Sequence, residues 1–310
     1  MNPWLVLVLG LILLTIGARV MVAGGVALAL RLGLTPLVVG LTIMAYGTST
    51  PELVVSAGAS LRGLSSLAVG NIVGSNVCNI ALILGLCAML RPLSVNRQVV
   101  RREVPVLIVI SILTPALLWD RSLDRIDGAI LLLLVIGYTA FLVRDARRQG
   151  DHSNGAGMRV SRSVWQSIAL VVAGLVFLLF GADLMVDSAV ELARSWGWNE
   201  LLIGLTIVAI GTSLPELALS LISTLNGETD VAVGNVVGSC TFNLLGILGV
   251  TGLLSPGELP DLRTTDLVTL ALVPLALWPL VRNDGKITRG EGIFLFTAYA
   301  GYTAWLVMTS

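Results

Sequence analysis

The amino-acid sequence predicts an all-α polytopic membrane protein: ten transmembrane helices arranged as two inverted five-helix repeats. Three observations carry that expectation. Of 310 residues, 55% are hydrophobic and only 12% are charged, against about 25% charged in soluble domains; mean hydropathy is +0.92. Apolar stretches long enough to span a bilayer alternate with short polar breaks. Finally, the run Gly47-Thr48-Ser49-Thr50-Pro51-Glu52 recurs 164 positions later as Gly211-Thr212-Ser213-Leu214-Pro215-Glu216, and both copies lie within apolar sequence.

A spanning helix needs about 20 apolar residues, which places spans in the first half at 4–30, 36–61, 66–90, 104–119 and 126–143. In the second half they fall at 164–194, 200–225, 230–254, 266–281 and 290–308. The first stretch lacks the basic start of a secretory signal. It also has a counterpart, since Gly17-Ala18 and Met21-Val22 match Gly181-Ala182 and Met185-Val186, so it reads as a retained helix. The polar, charged segment 144–163 reads as a linker between repeats at 1–143 and 164–310. Aligned without a gap, Gly40–Gly85 and Gly204–Gly249 share 25 of 46 residues. Five is an odd number of crossings, so the second repeat must enter from the opposite face.

Loop charges set the orientation. With the N-terminus outside, the inner loops collect Arg31, Arg91, Arg97, Arg101, Arg102, Arg144, Arg147, Arg148, Arg159, Arg162, Arg282, Lys286 and Arg289. The outer loops hold Arg62, Arg121, Arg125, Arg194 and Arg263. Thirteen cations against five predicts both termini outside and the linker in the cytoplasm. Net charge is zero, with no basic cluster of the kind a nucleic-acid surface needs. The single histidine, His152, lies in the linker. Cys78, Cys87 and Cys240 sit singly in apolar segments and form no metal-type pair.

An intramembrane carboxylate costs roughly 2.5 kcal/mol or more on insertion scales, so Glu52 and Glu216 are functional candidates by default. Pro51 and Pro215 each remove a backbone donor and weaken the helix beside a glycine. Carbonyls near Ala45 and Thr48, and near Ala209 and Thr212, are expected to be released. Broken backbone at this depth is tolerated where it is buried or lines a wet cavity. A second polar helix in each repeat reads Gly70-Asn71-x-x-Gly74-Ser75-Asn76-x-x-Asn79 and Gly234-Asn235-x-x-Gly238-Ser239-Cys240-x-x-Asn243. Ser75 and Asn79 share a helix face, as do Ser239 and Asn243. The glycine pairs suit close helix packing, and Asn71 and Asn235 suit a structural role at the broken backbone.

The donor set is all oxygen. Two bidentate carboxylates with the carbonyls of Thr48 and Thr212 make six ligands, within the 6–8 that calcium takes in a flexible cage. Sodium could use the same oxygens with Ser49, Ser213, Ser75 and Ser239. Arg19 and Asp183 stand 164 apart. Either they pair across the repeats, or Asp183, Asp187 and Glu191 line the wet outer end of a helix.

These motifs resemble the two alpha-repeats of the sodium/calcium exchanger branch of the cation/calcium exchanger superfamily, in its compact prokaryotic form, over nearly the whole chain. Proton-coupled members typically carry Gly-Asn-Ala-x-Glu where this chain has Gly-Thr-Ser-x-Pro-Glu. The resemblance implies a secondary active antiporter, not an enzyme, exchanging sodium for calcium by alternating access in the cell inner (plasma) membrane, without a cofactor and with a monomer sufficient for transport. It implies Glu52 and Glu216 as shared calcium and sodium ligands, Thr48, Thr212, Ala45 and Ala209 as further oxygen donors, and Ser49, Ser213, Ser75 and Ser239 as sodium ligands. Asn79 is the central amide. Asn243 stands where several relatives have an acid and potassium-dependent exchangers have Asp, which implies potassium independence. Three other readings compete: a proton-coupled cation antiporter, a cation channel, and an intramembrane enzyme using Ser49 or Ser213. The enzyme lacks a nearby His or Lys base. A channel accounts poorly for pseudo-symmetric halves sharing one carboxylate pair.

Overall fold

The computed structural model describes residues 3–150, 163–197, 209–260, 262–282 and 285–309. Helix α1 runs Pro3–Leu32. Helix α2, Pro36–Thr48, and α3, Thr50–Leu61, form one bent pair, with 46° between them at Ser49. The start of α2 follows from local chemistry: Thr35 caps the Val38 N–H at 3.3 Å and Pro36 takes the first turn. Helix α4 occupies residues 65–90 with a π-helical turn at Cys78–Ile83. Helix α5 is Val99–Asp120 and α6 is Arg125–Gly150.

In the second half, α7 spans Val164–Ser195 and opens on a capping box between Ser163 and Gln166. A short turn α8, Ala209–Gly211, precedes α9, Leu214–Asn226. Helix α10, Thr229–Leu254, carries a π-helical turn at Asn243–Ile247. Helices α11, Thr264–Arg282, and α12, Arg289–Thr309, complete the chain. Among the described residues, seven helices are long and apolar enough to cross a membrane, eight with the bent α2–α3 pair. The span predicted at 200–225 lies partly outside the described residues. Helix α6 continues to Gly150, into the segment predicted as linker; of that segment, 151–162 lies outside the described residues.

Two differences from the expected elements have physical causes. The fourth predicted span opens at 104, yet α5 begins at Val99 with a π-helical turn through Glu103. Glu103 is fully buried and accepts from Gln98 Nε2 at 2.9 Å, from Arg102 Nε at 2.8 Å and from the Tyr138 hydroxyl. Arg102 also pairs with Asp145 and lies 5.0 Å from the Phe141 ring. A charge cluster that reads as loop is thus a neutralised network inside the helix. The second difference is that the protein is not wholly α. Strand β1, Leu93–Ser94, pairs antiparallel with β4, Lys286–Ile287, and β2, Ser122–Leu123, with β3, Gly257–Glu258. A shift of 164 positions maps β1 onto β3 and β2 onto β4, so each ribbon joins non-equivalent loops of the two halves.

Helices α4 and α10 are central: 83% of the apolar window of each is buried, against 22–44% in the other five spans. Helices α1 and α7 run antiparallel with their backbones in contact. A methyl group at Gly17 would meet the Gly174 carbonyl at 2.8 Å, and one at Gly181 would meet the Gly10 carbonyl at 2.9 Å. Glycines spaced by seven therefore set the register. That register places Arg19 and Asp183 far apart along the axis, and they form no ion pair; both are exposed. Exposed tryptophans Trp4, Trp119, Trp165 and Trp196 mark helix ends, as expected at membrane interfaces.

Gly174→Val should destabilise the protein by about 1–3 kcal/mol through overpacking, because its new carbons meet the Gly17 carbonyl at 2.7 Å. Gly137→Ala, with no neighbour within 4 Å, should leave the melting temperature in detergent unchanged. Equal melting temperatures for the two variants would refute this account of the α1–α7 contact.

Candidate cation site

The site forms where α3 and α9, each restarting after a helix break, meet α4 and α10. Pro51 has no N–H for the Gly47 carbonyl; the Thr50 hydroxyl donates to that carbonyl instead, at 2.7 Å. The chain bends at Ser49 and restarts as α3 with Glu52 in its first turn. Glu216 holds the same place in α9. The expected release of the Ala45 carbonyl is not observed: the Ser49 N–H donates to it at 3.0 Å, and the Ser239 hydroxyl approaches at 3.4 Å. In the second motif the Ser213 N–H turns one residue along, to Ile210, at 3.1 Å.

The central geometry is reciprocal. Ser49 Oγ donates to Glu216 Oε1 at 2.8 Å, and Ser213 Oγ donates to Glu52 Oε1 at 3.0 Å. Each motif's serine therefore holds the other motif's carboxylate. Both glutamates are fully buried, and the second oxygen of each, Oε2, has no hydrogen-bond partner among the described residues. The same holds for the Ser75 and Thr212 hydroxyls and for both polar atoms of the Asn79 and Asn243 side chains. Asn79 lies in the π-helical turn of α4 and Asn243 opens that of α10. Such turns displace side chains from the regular helical register and recur at functional sites.

Thr48 and Ser239 are differently engaged. The Thr48 hydroxyl contacts its own turn through Met44 O at 3.1 Å and Ala45 O at 3.3 Å, and approaches Asn235 Oδ1 at 3.2 Å. Ser239 is bound to the Ala45 carbonyl. Ala209 is described in its backbone, at the start of α8. The asparagines expected to be structural act as clamps: Asn71 Nδ2 donates to Ser56 Oγ at 3.0 Å, and Asn235 Nδ2 donates to Ser220 Oγ at 3.1 Å. Gly234 and Gly238 pack against the backbone of Leu37 and Leu41. The segment equivalent to Leu37–Leu41 for Gly70 and Gly74, residues 201–205, lies outside the described residues.

One residue passed over in the sequence joins this set. Asn76 is buried, and neither side-chain polar atom has a hydrogen-bond partner among the described residues. Its counterpart is Cys240, whose thiol contacts the Asn76 carbonyl at 3.9 Å. A search for matching positions in the two halves discards it, because the repeats differ there. Among the described residues no group of three His, Cys, Asp or Glu side chains converges. The site therefore offers two carboxylates supplemented by neutral oxygens, a donor set for hard cations such as sodium and calcium and a poor one for zinc or copper.

Fold and geometry define a polytopic helical membrane protein with a buried, oxygen-lined candidate cation site. Comparison with known proteins agrees. The family described as sodium/calcium exchanger protein matches residues 2–144 and 166–308, and the chain belongs to that family. Among curated relatives, the putative antiporter CaxA of Alkalimonas amylolytica is 40% identical over 94% of this chain and 95% of its own length. The inner membrane protein YrbG of Escherichia coli is 37% identical over 97% and 95%. A solved structure of the sodium-calcium exchanger NCX_Mj superposes with a TM-score of 0.84 at 32% identity, covering 98% of both chains.

Asn235→Ala should cost about 1–3 kcal/mol, since it leaves the buried Ser220 hydroxyl without its donor. Asn243→Ala removes an amide with no hydrogen-bond partner among the described residues and should hardly change the melting temperature in detergent. The reverse ranking would contradict the division into clamping and unpartnered amides.

Proposed function

We propose that this chain is a secondary antiporter exchanging sodium for calcium by alternating access, with Glu52 and Glu216 as shared ligands. The observation that carries the reading is the pair of reciprocal serine–glutamate bonds. They orient two buried carboxylates and leave one oxygen on each, with the oxygens of Ser75, Thr212, Asn79 and Asn243, free for a cation. A relative of known structure that bears the name sodium-calcium exchanger supports the choice of ions.

Two carboxylates in low dielectric repel each other and lack solvation. One calcium or two sodium ions cancel their charge, and a third sodium could use the neutral oxygens. Ion-loaded states therefore close and switch, while the empty site resists occlusion, and coupling follows from differential stabilisation of the closed conformation. The 164-residue offset, the two family matches and the exchange of non-equivalent loops in the two β-ribbons support ten spans in two inverted repeats, 1–143 and 164–310. In that arrangement one half rocks on the other. Positive loop charge supports both termini outside and the linker in the cytoplasm, and an inner-membrane relative supports residence there. Asn243, a neutral amide, supports exchange without potassium.

Glu52→Gln and Glu216→Gln should each abolish sodium-dependent calcium uptake in proteoliposomes while the protein still folds; normal uptake by either variant would sink the assignment. Calcium-loaded vesicles should retain calcium in medium free of both ions and release it when sodium is added. Rapid efflux without a counter-ion would instead identify a channel or uniporter. Uptake should persist when potassium alone is withdrawn, and its loss would overturn the role given to Asn243.

A further inference from the structure

The two central helices differ in how much unpartnered oxygen they carry. On α4, Ser75 Oγ and both side-chain polar atoms of Asn76 and Asn79 have no hydrogen-bond partner among the described residues, and none of the three residues is more than 2% exposed. They fall within about one helical turn. The matching positions on α10 are Ser239, Cys240 and Asn243. Ser239 Oγ donates to the Ala45 carbonyl at 3.4 Å and Cys240 offers sulfur, so of these three only Asn243 brings an unpartnered oxygen. The helices cross at this register, where the Cys240 thiol lies 3.9 Å from the Asn76 carbonyl. A buried amide left without a partner is costly. Packing does not demand one here, because α10 carries a cysteine at the same place in the repeat.

We propose that Asn76 is a sodium-specific ligand, its amide oxygen joining Ser75 Oγ and Asn79 Oδ1 in a neutral cation site on α4 that has no equal on α10. The assignment rests on the exchange reading above and gives the third sodium a place. Neutral donors bring no counter-charge, so a monovalent ion loses less on entering such a site than calcium does. Calcium is served by the carboxylates of Glu52 and Glu216. A hydroxyl and two amide oxygens are hard donors that suit sodium, whereas a thiol is a soft donor that suits copper(I) or zinc. The change from Asn76 to Cys240 between the halves therefore places the neutral site in the first half. Sodium binding depends on Asn76 and calcium binding does not.

The test has two arms. In the first, the intact protein is held in detergent with calcium chelated, and its melting temperature is read against sodium chloride, with choline chloride at equal ionic strength as the control. Sodium should stabilise the wild type, since a ligand that binds only the folded state raises its stability. Asn76→Cys and Asn76→Ala should each raise the half-effective sodium concentration about tenfold. The melting temperature without sodium should not fall, and stabilisation by calcium should be unchanged. Cys240→Asn, the mirror change, should leave the sodium midpoint no higher than in the wild type. No stabilisation of the wild type by sodium would overturn the assignment. So would an unchanged sodium midpoint in both Asn76 variants, which would mean that the amide holds only water. A lower melting temperature without sodium, with the sodium and calcium responses weakened alike, would make Asn76 a structural residue and overturn it too. In the second arm, proteoliposomes bearing either variant should need about tenfold more sodium for half-maximal calcium exchange, at the same calcium half-saturation. If the sodium midpoint shifts in detergent but the wild type moves no calcium in vesicles, the exchange reading falls and the sodium site stands.

Discussion

Two carboxylates at zero exposure, each tied by one oxygen to a serine of the opposite motif, are the constraint on which the rest of the structure depends. Buried charge of one sign is unfavourable in low dielectric unless it is hydrogen-bonded and neutralised. The serine bonds meet half of that requirement and fix where each carboxylate points. They also join the two halves beside the helix break that precedes each glutamate. The half left unmet, the two Oε2 atoms, is the part of the site that the proposed cation would complete.

The surrounding architecture holds this arrangement still. Asn71 and Asn235 reach from the central helices to Ser56 and Ser220, one turn beyond each glutamate, so the first turns of α3 and α9 are anchored at both ends. Thr50 closes the carbonyl that Pro51 leaves open. Glycines on α10 bring it against the backbone of α2, and the glycine stripe on α1 and α7 brings the backbones of those helices into contact, with Leu14 and Met21 packed against Val171 and Leu178.

The pseudo-symmetry is close but incomplete. The serine–glutamate bonds and the asparagine clamps have both members. The Glu103 network does not, because its counterpart is Leu267, and the Tyr46–Phe242 stack is replaced by Ile210 and Cys78. One end of the molecule therefore carries a buried carboxylate network and an aromatic stack that the equivalent end lacks.

By itself the sequence determined the class, most helix positions, the two motifs and the oxygen character of the site. These follow from periodicity, apolar length and the 164-residue repeat, all local or self-referential signals. It pointed to the clamping role of Asn71 and Asn235, and to Asn79 and Asn243 as a pair, because both halves repeat them. Only the tertiary structure decided which oxygens face a partner and which do not. Glu52 bonds Ser213 and not its own Ser49, and Ala45 keeps its backbone bond, because the halves approach face to face across α4 and α10. It also removed the Arg19–Asp183 pairing, since glycine contacts set an antiparallel register that the sequence offset alone does not reveal. Glu103 and Asn76 escaped the sequence because their counterparts in the other half differ, and burial of a polar group is a property of packing in three dimensions.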